Sequence, residues 1–307
     1  MRLLGGALQC GARLGGTRSR RPRRDNRRVE VHRLSTALGA QIEGVDLRAP
    51  LDGELVAAIH AALIDHQVLF FRDQVMSDDD QLALASRFGE VSIYPVSRLA
   101  GATERRVSYI RDNAESPPDA DGWHTDVTWI AEPPVAAFLS AQLIPDVGGD
   151  TLWASLYAAF DTLSPTMQAA CERLIVRHWY GEQFEAAISR AMPSELVARL
   201  RAEYPPVEHP LVGVHPVTGR KALLLAGQFM QEIVGMHPAE SAMFLGFLRS
   251  RLDDPNLQVR WHWREGDLAV WDERCTNHRA LSDHYPRSRV MRRCTVDGPC
   301  LRQERST

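Results

Sequence analysis

Apolar and polar residues follow two different periods along this chain of 307 residues. Apolar positions recur at helical spacing within residues 51–66, 77–88 and 238–252, and each of these segments predicts an amphipathic helix. A further helix is predicted over residues 155–174, with an interruption at Ser164-Pro165, where proline can begin a new helical turn. Shorter segments alternate with a period of two or are apolar throughout, which is typical of strands.

The strand patterns decide the fold class. The predicted strands are residues 29–34, 40–47, 68–71, 107–111, 135–143, 259–263, 268–271 and 289–296, with a hairpin formed by 209–212 and 221–225. Helices therefore stand among antiparallel strands, with neither a β-α-β alternation nor a Gly-x-Gly-x-x-Gly loop. This order predicts an α+β fold, a double-stranded β-helix (jelly-roll) core with flanking helices, and argues against a nucleotide-binding sheet.

The chain shows no internal repeat, and we expect residues 29–307 to form a single domain. Residues 180–204 are polar and poorly patterned, so they are a candidate lid over a pocket. The composition, with 44% hydrophobic and 24% charged residues, is that of an ordinary globular protein. No apolar run approaches the roughly 18 residues of a membrane span. The net charge of −3 suggests neither a nucleic-acid binder nor an acidic tail protein.

Residues 1–28 differ from the rest, because they contain nine arginines and one acidic residue, Asp25. Three explanations remain open: a disordered tail, an organelle transit peptide, or upstream sequence translated from a misplaced start codon. We favour the third, because Val29 opens the first strand pattern and valine is what an internal GTG start would encode. The segment is therefore left out of the fold prediction.

The five cysteines are odd in number and form no Cys-x-x-Cys pair, so we expect neither a disulfide framework nor a zinc ribbon. A reducing cytoplasm is the simplest location. Cys275 lies three residues before His278 and is expected to be a small buried core residue rather than a metal ligand. We expect His209, His262 and His284 to be structural or surface residues, because none has a carboxylate at ligand spacing.

The stretch Trp123-His124-Thr125-Asp126 carries the first chemical signal. In a strand, side chains two positions apart share a face, so His124 and Asp126 would point to one place. An imidazole and a carboxylate are two thirds of the facial triad that holds Fe(II) in oxygenases and leaves open coordination positions. Taken alone, the motif also fits a buried core histidine, and the third ligand must come from elsewhere.

Further motifs carry a resemblance to a known family. They are Gly-Gly-Asp-Thr-Leu-Trp at 148–153, Trp-Asp-x-Arg-x-x-x-His-x-Ala at 271–280 and Arg-x-Met-x-Arg at 289–293. With Trp-His-Thr-Asp, their order and spacing resemble the taurine dioxygenase family of Fe(II)/2-oxoglutarate-dependent oxygenases. Residues 71–74 and 87–90 also fit, and the similarity extends from about residue 40 to about residue 298.

The resemblance implies a role for individual residues. His124, Asp126 and His278 would bind Fe(II), which leaves three octahedral positions for 2-oxoglutarate and dioxygen, the two co-substrates. Thr151 and Arg289 would bind 2-oxoglutarate, and a guanidinium suits its far carboxylate because it binds bidentately and stays charged when desolvated. The residues implied for the substrate pocket are Arg293, on the anionic head, and Phe229, Tyr94, Ser97 and Ala120 on its walls.

The substrate is implied only as a class. The taurine enzymes of the family carry His, Tyr and Asn where this chain has Tyr94, Ser97 and Ala120, and these replacements remove polar partners from the pocket. We expect hydroxylation of a small anionic substrate, either taurine or another alkylsulfonate, with release of sulfite, an aldehyde, succinate and carbon dioxide. An alkyl sulfate ester or a phenoxyalkanoate is the alternative substrate.

Other functions use part of the same residue set. A halogenating branch of the family replaces the carboxylate ligand by a small residue, so Asp126 favours hydroxylation. A zinc hydrolase could use the same three ligands but would not need Thr151 and Arg289. A non-enzymatic jelly-roll binding protein would more naturally have lost a ligand. We expect a homo-oligomer, a dimer or a tetramer, that acts on small molecules without nucleic-acid or membrane partners.

Overall fold

The computed structural model describes residues 29–104, 106–118 and 122–303. The predicted basic tail at 1–28 and the predicted pocket residue Ala120 lie outside the described residues. The helices are α1 Gly53–His66, α2 Asp78–Ala85, α3 Pro95–Leu99, α4 Leu156–Asp161, α5 Pro165–Cys171, α6 Gly181–Ala191, α7 Ser194–Glu203 and α8 Pro238–Ser250. Short 3-10 turns cover Gly227–Phe229, Arg251–Asp253 and Pro255–Leu257.

Sixteen strands are described. They are β1 Glu30–Arg33, β2 Ala40–Glu43, β3 Val68–Phe71, β4 Glu90–Val91, β5 Ser108–Asp112, β6 Ala136–Leu143, β7 Thr151–Ser155, β8 Ile175–His178, β9 Val207–Pro210, β10 Val212–Val214, β11 Lys221–Leu223, β12 Met230–Ile233, β13 Gln258–Trp261, β14 Leu268–Asp272, β15 Thr276–Ala280 and β16 Arg289–Asp297. The predicted helix break at Ser164-Pro165 is confirmed. The predicted hairpin around Thr218-Gly219 is present, but its first strand is β10, paired with β11, whereas His209 and Pro210 belong to β9, which pairs with β8.

Two sheets form the jelly-roll core that the sequence predicts. The larger has eight strands in the order β1-β2-β3-β14-β6-β16-β4, with β5 paired to β16, and the smaller has the order β13-β7-β15. Most neighbours are antiparallel. One prediction is wrong, because β2 and β3 pair in parallel across helix α1 and so form a single β-α-β unit. A return crossover through a helix is the usual way to make two adjacent strands parallel.

The apolar strand β3 shows why the large sheet is buried on both faces. Val68 and Phe70 belong to a cluster between the two sheets, whereas Leu69 and Phe71 pack against helices α1 and α2. Alternating side chains thus meet a different core on each face, which explains a fully apolar run. Burial of each such side chain stabilises the fold by about 1.5–3 kcal/mol.

Aromatic rings fill the space between the sheets. Phe70 stacks on Trp261 with ring centroids 4.3 Å apart, and Trp153 meets Trp271 edge-on at 5.5 Å. The predicted alternation of β13 is confirmed, since Val259, Trp261 and Trp263 are buried while Arg260 and His262 are exposed. These packed aromatic rings lie beneath the strands that carry the candidate site.

The predicted lid segment, residues 180–204, forms α6 and α7. Trp129 contacts Tyr180 and Tyr204, at the two ends of this segment, with ring centroids 5.5 and 5.3 Å away. Trp129 follows Asp126 by three residues, so the segment contacts the turn that begins at a candidate metal ligand. Its mobility stays a prediction. None of the described helices is both long enough and apolar enough to cross a membrane.

Candidate active site

The His-Thr-Asp motif is placed by one backbone bridge rather than by a strand. His124 and His278 exchange N–H to carbonyl hydrogen bonds of 2.9 and 2.8 Å, and a turn begins at Asp126. The predicted strand geometry, with His124 and Asp126 on one strand face, is therefore wrong. Val127 follows in a left-handed conformation with φ of 55°, which is strained for a β-branched residue and redirects the chain.

Two polar contacts and one glycine hold this turn. The hydroxyl of Thr125 donates to the carbonyl of Thr276 over 3.1 Å, and the amide of Asn277 donates to the same hydroxyl over 3.1 Å. Gly227 has a φ of 58°, and a Cβ there would lie 1.9 Å from the carbonyl oxygen of Trp123. Only glycine permits this approach, so Gly227 is a positioning residue that the sequence analysis missed.

The three predicted metal ligands converge. One ligand atom from each of His124, Asp126 and His278 lies within 4.8 Å of the others, and His124 Nε2 is 3.8 Å from Asp126 Oδ1. Within the described ranges, His278 Nδ1 and Asp126 Oδ2 are buried polar atoms without a hydrogen bond. Two imidazoles and one carboxylate that surround a single point fit a divalent first-row metal such as Fe(II).

The protonation states also suit a metal. Burial, followed by the nearby His124, lowers the pKa of His278 well below its usual range, so its imidazole is neutral. Burial alone would raise the pKa of Asp126, but the Arg293 guanidinium and the two imidazoles outweigh it and hold that pKa below its usual range. Metal ligands must be deprotonated, and both groups meet that condition at neutral pH.

Arg293 lies closer to the metal ligands than the sequence analysis expected. Its Nη1 atom is 2.9 Å from Oδ1 and 2.8 Å from Oδ2 of Asp126, and only the first contact has hydrogen-bond geometry. The predicted faces of β16 are confirmed, because Arg289 and Arg293 both line the cavity while Arg292 turns away to Gln81 and Asp78. A guanidinium has five donors, so contact through Nη1 leaves others available to a ligand.

Glu273 is a second positioning residue that the sequence analysis did not identify. It is buried directly behind Asp126, whose backbone N–H donates to Oε2 over 3.3 Å. Oε1 accepts a 2.8 Å bond from the indole of Trp271, and that indole packs on His278 with ring centroids 5.0 Å apart. Burial, and then the Asp126 carboxylate, raise the pKa of Glu273 well above its usual range. One carboxyl group thus links two of the three ligands.

The Gly-Gly-Asp-Thr turn brings Thr151 and Arg289 together. Gly148 and Gly149 have φ values of 86° and 76°, and a Cβ on Gly149 would lie 3.0 Å from Cδ of Arg289. The carbonyl of Gly149 accepts a 3.0 Å bond from Nε of Arg289. The absence of a side chain on Gly149 therefore lets the Arg289 side chain lie against the backbone of the turn. The turn thus positions Arg289.

The Thr151 hydroxyl is oriented by two donors. Its oxygen accepts from the indole of Trp263 over 3.0 Å and from Nη2 of Arg289 over 3.4 Å. Because the hydroxyl oxygen accepts twice, its own hydrogen is free to donate to a third group. A carboxylate oxygen is the natural acceptor for such a donor beside a guanidinium.

A cavity of about 490 Å³ joins these groups. Its lining includes the predicted residues His124, Thr151, His278, Arg289 and Arg293. Apolar walls come from Ile110, Leu139 and Trp271, and Asp112 adds a carboxylate next to Arg289. The structure therefore brings the predicted co-substrate residues and two of the predicted metal ligands to one cavity, with a ligand oxygen of Asp126 within 4.8 Å of those two.

The predicted substrate residues are more scattered. Tyr94 is half-buried and lines two further cavities of about 530 and 550 Å³, and Ser97 is an exposed residue on α3 that lines the second of them. Burial raises the pKa of Tyr94 to about 12, and the Arg293 guanidinium opposes that shift. Phe229 is buried in the core under the lid segment. None of these three residues lines the 490 Å³ cavity.

The cysteines and histidines that were not expected to bind metal differ in their contacts. Cys275 is a buried free thiol, as predicted, and Cys171, Cys294 and Cys300 are also free. His209 bonds two backbone carbonyls, and His262 contacts Asp150 at 2.8 Å. Glu30, His32 and Glu43 form another ligand-like group on β1 and β2, but they are solvent-exposed, where water competes for such groups.

Comparison with known proteins identifies the family. Residues 30–295 match the family described as taurine catabolism dioxygenase TauD, TfdA family. The chain belongs to this family. Its members are Fe(II)- and 2-oxoglutarate-dependent dioxygenases, so this TauD, TfdA family protein is an oxidoreductase that uses 2-oxoglutarate and O2 as co-substrates and acts on a small organic molecule. The alternatives of a zinc hydrolase and a binding protein are not supported.

The relatives span nearly the whole domain. The chain is 34% identical over 276 residues to the alkylsulfatase of Acinetobacter baylyi, covering 88% of this chain and 85% of the relative. It is 34% identical over 274 residues to the alpha-ketoglutarate-dependent sulfate ester dioxygenase of Pseudomonas putida, covering 88% and 90%. Other relatives are named as sulfonate and (S)-phenoxypropionate dioxygenases.

A solved structure confirms the jelly-roll fold. AAD-2, crystallised in complex with Mn(II) and N-oxalylglycine, superimposes with a TM-score of 0.74 and 27% identity, over 90% of this chain and all of that chain.

Proposed function

We propose that His124, Asp126 and His278 bind Fe(II) in this dioxygenase, and that Thr151 and Arg289 bind 2-oxoglutarate. The observation that carries the proposal is one cavity lined by two imidazoles, a buried guanidinium and a hydroxyl with a free hydrogen, with a ligand oxygen of Asp126 within 4.8 Å of both imidazoles. 2-Oxoglutarate has a 2-oxo acid head for the metal and a far carboxylate for Arg289. When bound, Fe(II) activates O2 to oxidise 2-oxoglutarate to succinate and carbon dioxide and to hydroxylate the substrate.

The chain's own residues have three tasks in this reaction. The backbone bridge between His124 and His278 holds the two residues together, and Nδ1 of His124 bonds the carbonyl of Gly122 over 2.9 Å, so the metal site is largely formed before ligands arrive. Thr151 and Arg289 orient 2-oxoglutarate, and Arg293 supplies a cation beside Asp126 for a substrate anion. The walls formed by Leu139 and Trp271 exclude water from the reacting atoms.

For the substrate, we propose an anionic alkyl compound whose head carries a sulfate ester or a sulfonate. Two of the relatives are named for sulfate ester or alkyl sulfate substrates, which supports testing that class first. Hydroxylation of the carbon next to the sulfate or sulfonate makes an unstable adduct. That adduct breaks its carbon–oxygen or carbon–sulfur bond, leaving an aldehyde together with sulfate or sulfite.

The apolar walls of the cavity also favour an alkyl chain. Ile110, Leu139 and Trp271 offer little to a charged amine such as that of taurine, whereas an alkyl tail gains from apolar contact with them. A phenoxyalkanoate stays the second candidate, because relatives of 31–32% identity are named for it. Its carboxylate could use the same arginine.

The experiment is a substrate panel with product analysis. Purified protein with Fe(II), 2-oxoglutarate and O2 is given hexyl sulfate, taurine, hexanesulfonate or (S)-phenoxypropionate, and succinate, sulfate, sulfite and phenol are measured. We expect succinate formation coupled to sulfate or sulfite release from an alkyl substrate. Succinate formation that none of the four compounds stimulates would overturn the substrate proposal while leaving the metal and co-substrate assignments intact.

Arg293 is tested in the same assay. Arg293→Lys keeps a cation near Asp126 but loses the planar guanidinium that can donate two parallel hydrogen bonds to an anion. KM for the anionic substrate should therefore rise at least about tenfold. A matched control is Arg292→Lys, on the opposite face of β16. We further propose a cytoplasmic homo-oligomer, a dimer or tetramer, which light scattering on the purified protein will test.

A further inference from the structure

Arg289 has a resident counter-ion in the same cavity. Asp112 on β5 lies directly opposite Arg289 on β16, and its Oδ2 atom is 3.6 Å from Nη1 of the arginine. Both side chains are buried, with 7% and 3% of each residue exposed. A carboxylate therefore already faces the guanidinium to which we assign the far carboxylate of 2-oxoglutarate.

His284 contacts the same carboxylate oxygen. Its Nε2 atom is 3.4 Å from Asp112 Oδ2, and the residue is 1% exposed. Nδ1 lies 3.2 Å from the carbonyl oxygen of Leu281, which can only accept, so Nδ1 carries a hydrogen. A neutral imidazole then presents the lone pair of Nε2 to a carboxylate. Nε2 indeed has no hydrogen-bond partner among the residues that the structure describes.

Three elements place groups around His284. Asp112 faces it from β5, Arg289 lies beside the same carboxylate on β16, and Gly149 packs on its ring from the glycine turn. The other charged groups nearby already have partners: Asp283 accepts the N–H of Gly149, and Asp150 is paired with Arg260 and His262.

A second carboxylate at Arg289 would place two anions beside one cation in a buried site. Such a like-charge pair is costly unless a further positive charge is added or a group is protonated. A proton on Nε2 of His284 would supply this positive charge. It would also let Nε2 donate a hydrogen bond to Asp112.

We propose that Asp112 and His284 form a proton-linked counter-ion pair for Arg289, so that binding of 2-oxoglutarate is coupled to uptake of one proton by His284. This inference rests on the proposed role of Arg289. Both residues act through Arg289 and are positioning residues. No bond other than an N–H bond forms, and the proton comes from solvent.

The test is isothermal titration calorimetry of Mn(II)-loaded protein with 2-oxoglutarate. Titrations in two buffers of different ionisation enthalpy give the number of protons taken up per ligand bound. We expect about one, and the affinity for 2-oxoglutarate should fall as pH rises, by up to about tenfold per pH unit. Pyruvate, which has the same 2-oxo acid head without the far carboxylate, should bind without this proton uptake.

Two variants locate the proton. His284→Gln should bind 2-oxoglutarate without proton uptake. Asp112→Asn should also bind it without proton uptake, and at alkaline pH its affinity should be higher than that of the wild type, because the competing carboxylate is gone. Wild-type protein that binds 2-oxoglutarate with no proton uptake would overturn the inference and leave Arg289 in place. Uptake that persists in His284→Gln would overturn it as well. Failure of 2-oxoglutarate to bind at any pH would instead overturn the proposed co-substrate site.

Discussion

His124 and His278 are joined through their backbones, each donating its N–H to the carbonyl of the other over 2.9 and 2.8 Å. Their rings lie 4.1 Å apart between centroids. Two candidate ligands that are 154 positions apart in sequence are thus anchored to each other by one pair of peptide groups. We infer that the metal site is rigid and that changes next to it will act mainly on ligand binding.

Replacing Arg289 by alanine should weaken 2-oxoglutarate binding by about 2–4 kcal/mol, because a charge-assisted pair with the far carboxylate is lost. Calorimetry on Mn(II)-loaded protein measures this directly. Arg287→Ala, which removes an exposed arginine two residues away, is the matched control and should keep wild-type affinity. Unchanged 2-oxoglutarate affinity in Arg289→Ala would remove the residue from the site.

Gly149→Ala should also weaken 2-oxoglutarate binding, by at least about tenfold, because its Cβ would lie 3.0 Å from Cδ of Arg289 and displace that side chain. Gly219→Ala is the control. Gly219 has a similar φ of 70°, yet a Cβ there meets nothing within 4 Å. Both variants should therefore lose comparable unfolding free energy, about 1–3 kcal/mol. Equal 2-oxoglutarate affinity in the two proteins would contradict the role given to the glycine turn.

The orientation of the Thr151 hydroxyl is tested by Trp263→Phe. This change removes the indole donor to Thr151, so the hydroxyl is no longer held with its hydrogen free, and 2-oxoglutarate affinity should fall about threefold to tenfold. Trp261→Phe deletes an equivalent indole bond, to Asp267, in the same aromatic core. It should reduce stability without this loss of affinity. Equal 2-oxoglutarate affinity in Trp263→Phe and Trp261→Phe would contradict the role given to the Trp263 indole.

The sequence predicted most of the elements and the candidate ligand set, because periodicity and motif order are local properties. It did not predict the geometry of His124 and Asp126. The pairing of His124 with His278 ends the strand character at His124, and Val127 then takes a positive φ that no propensity favours. The parallel pairing of β2 and β3 was missed for a related reason, since one helix between two strands does not by itself specify which strands become neighbours.

The residues behind the ligands were harder to find than the ligands. Asp112 meets Arg289 only through the register of β5 against β16, and Glu273 meets Asp126 across 147 positions. Gly227 is recognisable only from the close approach of Trp123. Each of these three contacts depends on tertiary pairing. The residue type alone, an acid or a glycine, does not distinguish these positions from surface positions in the sequence.

Acid should destabilise the fold through His178. Burial, followed by His209 and Arg249, lowers the pKa of His178 to about 3, so this histidine is neutral in the fold. The unfolded chain binds a proton near pH 6.5, and stability is therefore lost as pH falls from about 6.5 towards 3, at up to about 1.4 kcal/mol per pH unit.

Denaturant unfolding across this range measures that effect. His178→Asn, which retains a polar group for the contact with Thr128 but does not titrate, should flatten the dependence by about one proton. His32→Asn, at an exposed histidine, should not. An unaltered slope in His178→Asn would assign the acid sensitivity to other groups.

The most direct test of the central claim is an anaerobic titration of the purified protein with Fe(II) and then 2-oxoglutarate, followed by visible absorption. Chelation of Fe(II) by the 2-oxo acid gives a metal-to-ligand charge-transfer band. We predict that the band forms with wild-type protein, is absent from Asp126→Ala and requires far higher 2-oxoglutarate concentrations in Arg289→Ala. Full iron occupancy of the wild-type protein with no band at saturating 2-oxoglutarate would contradict the proposed site.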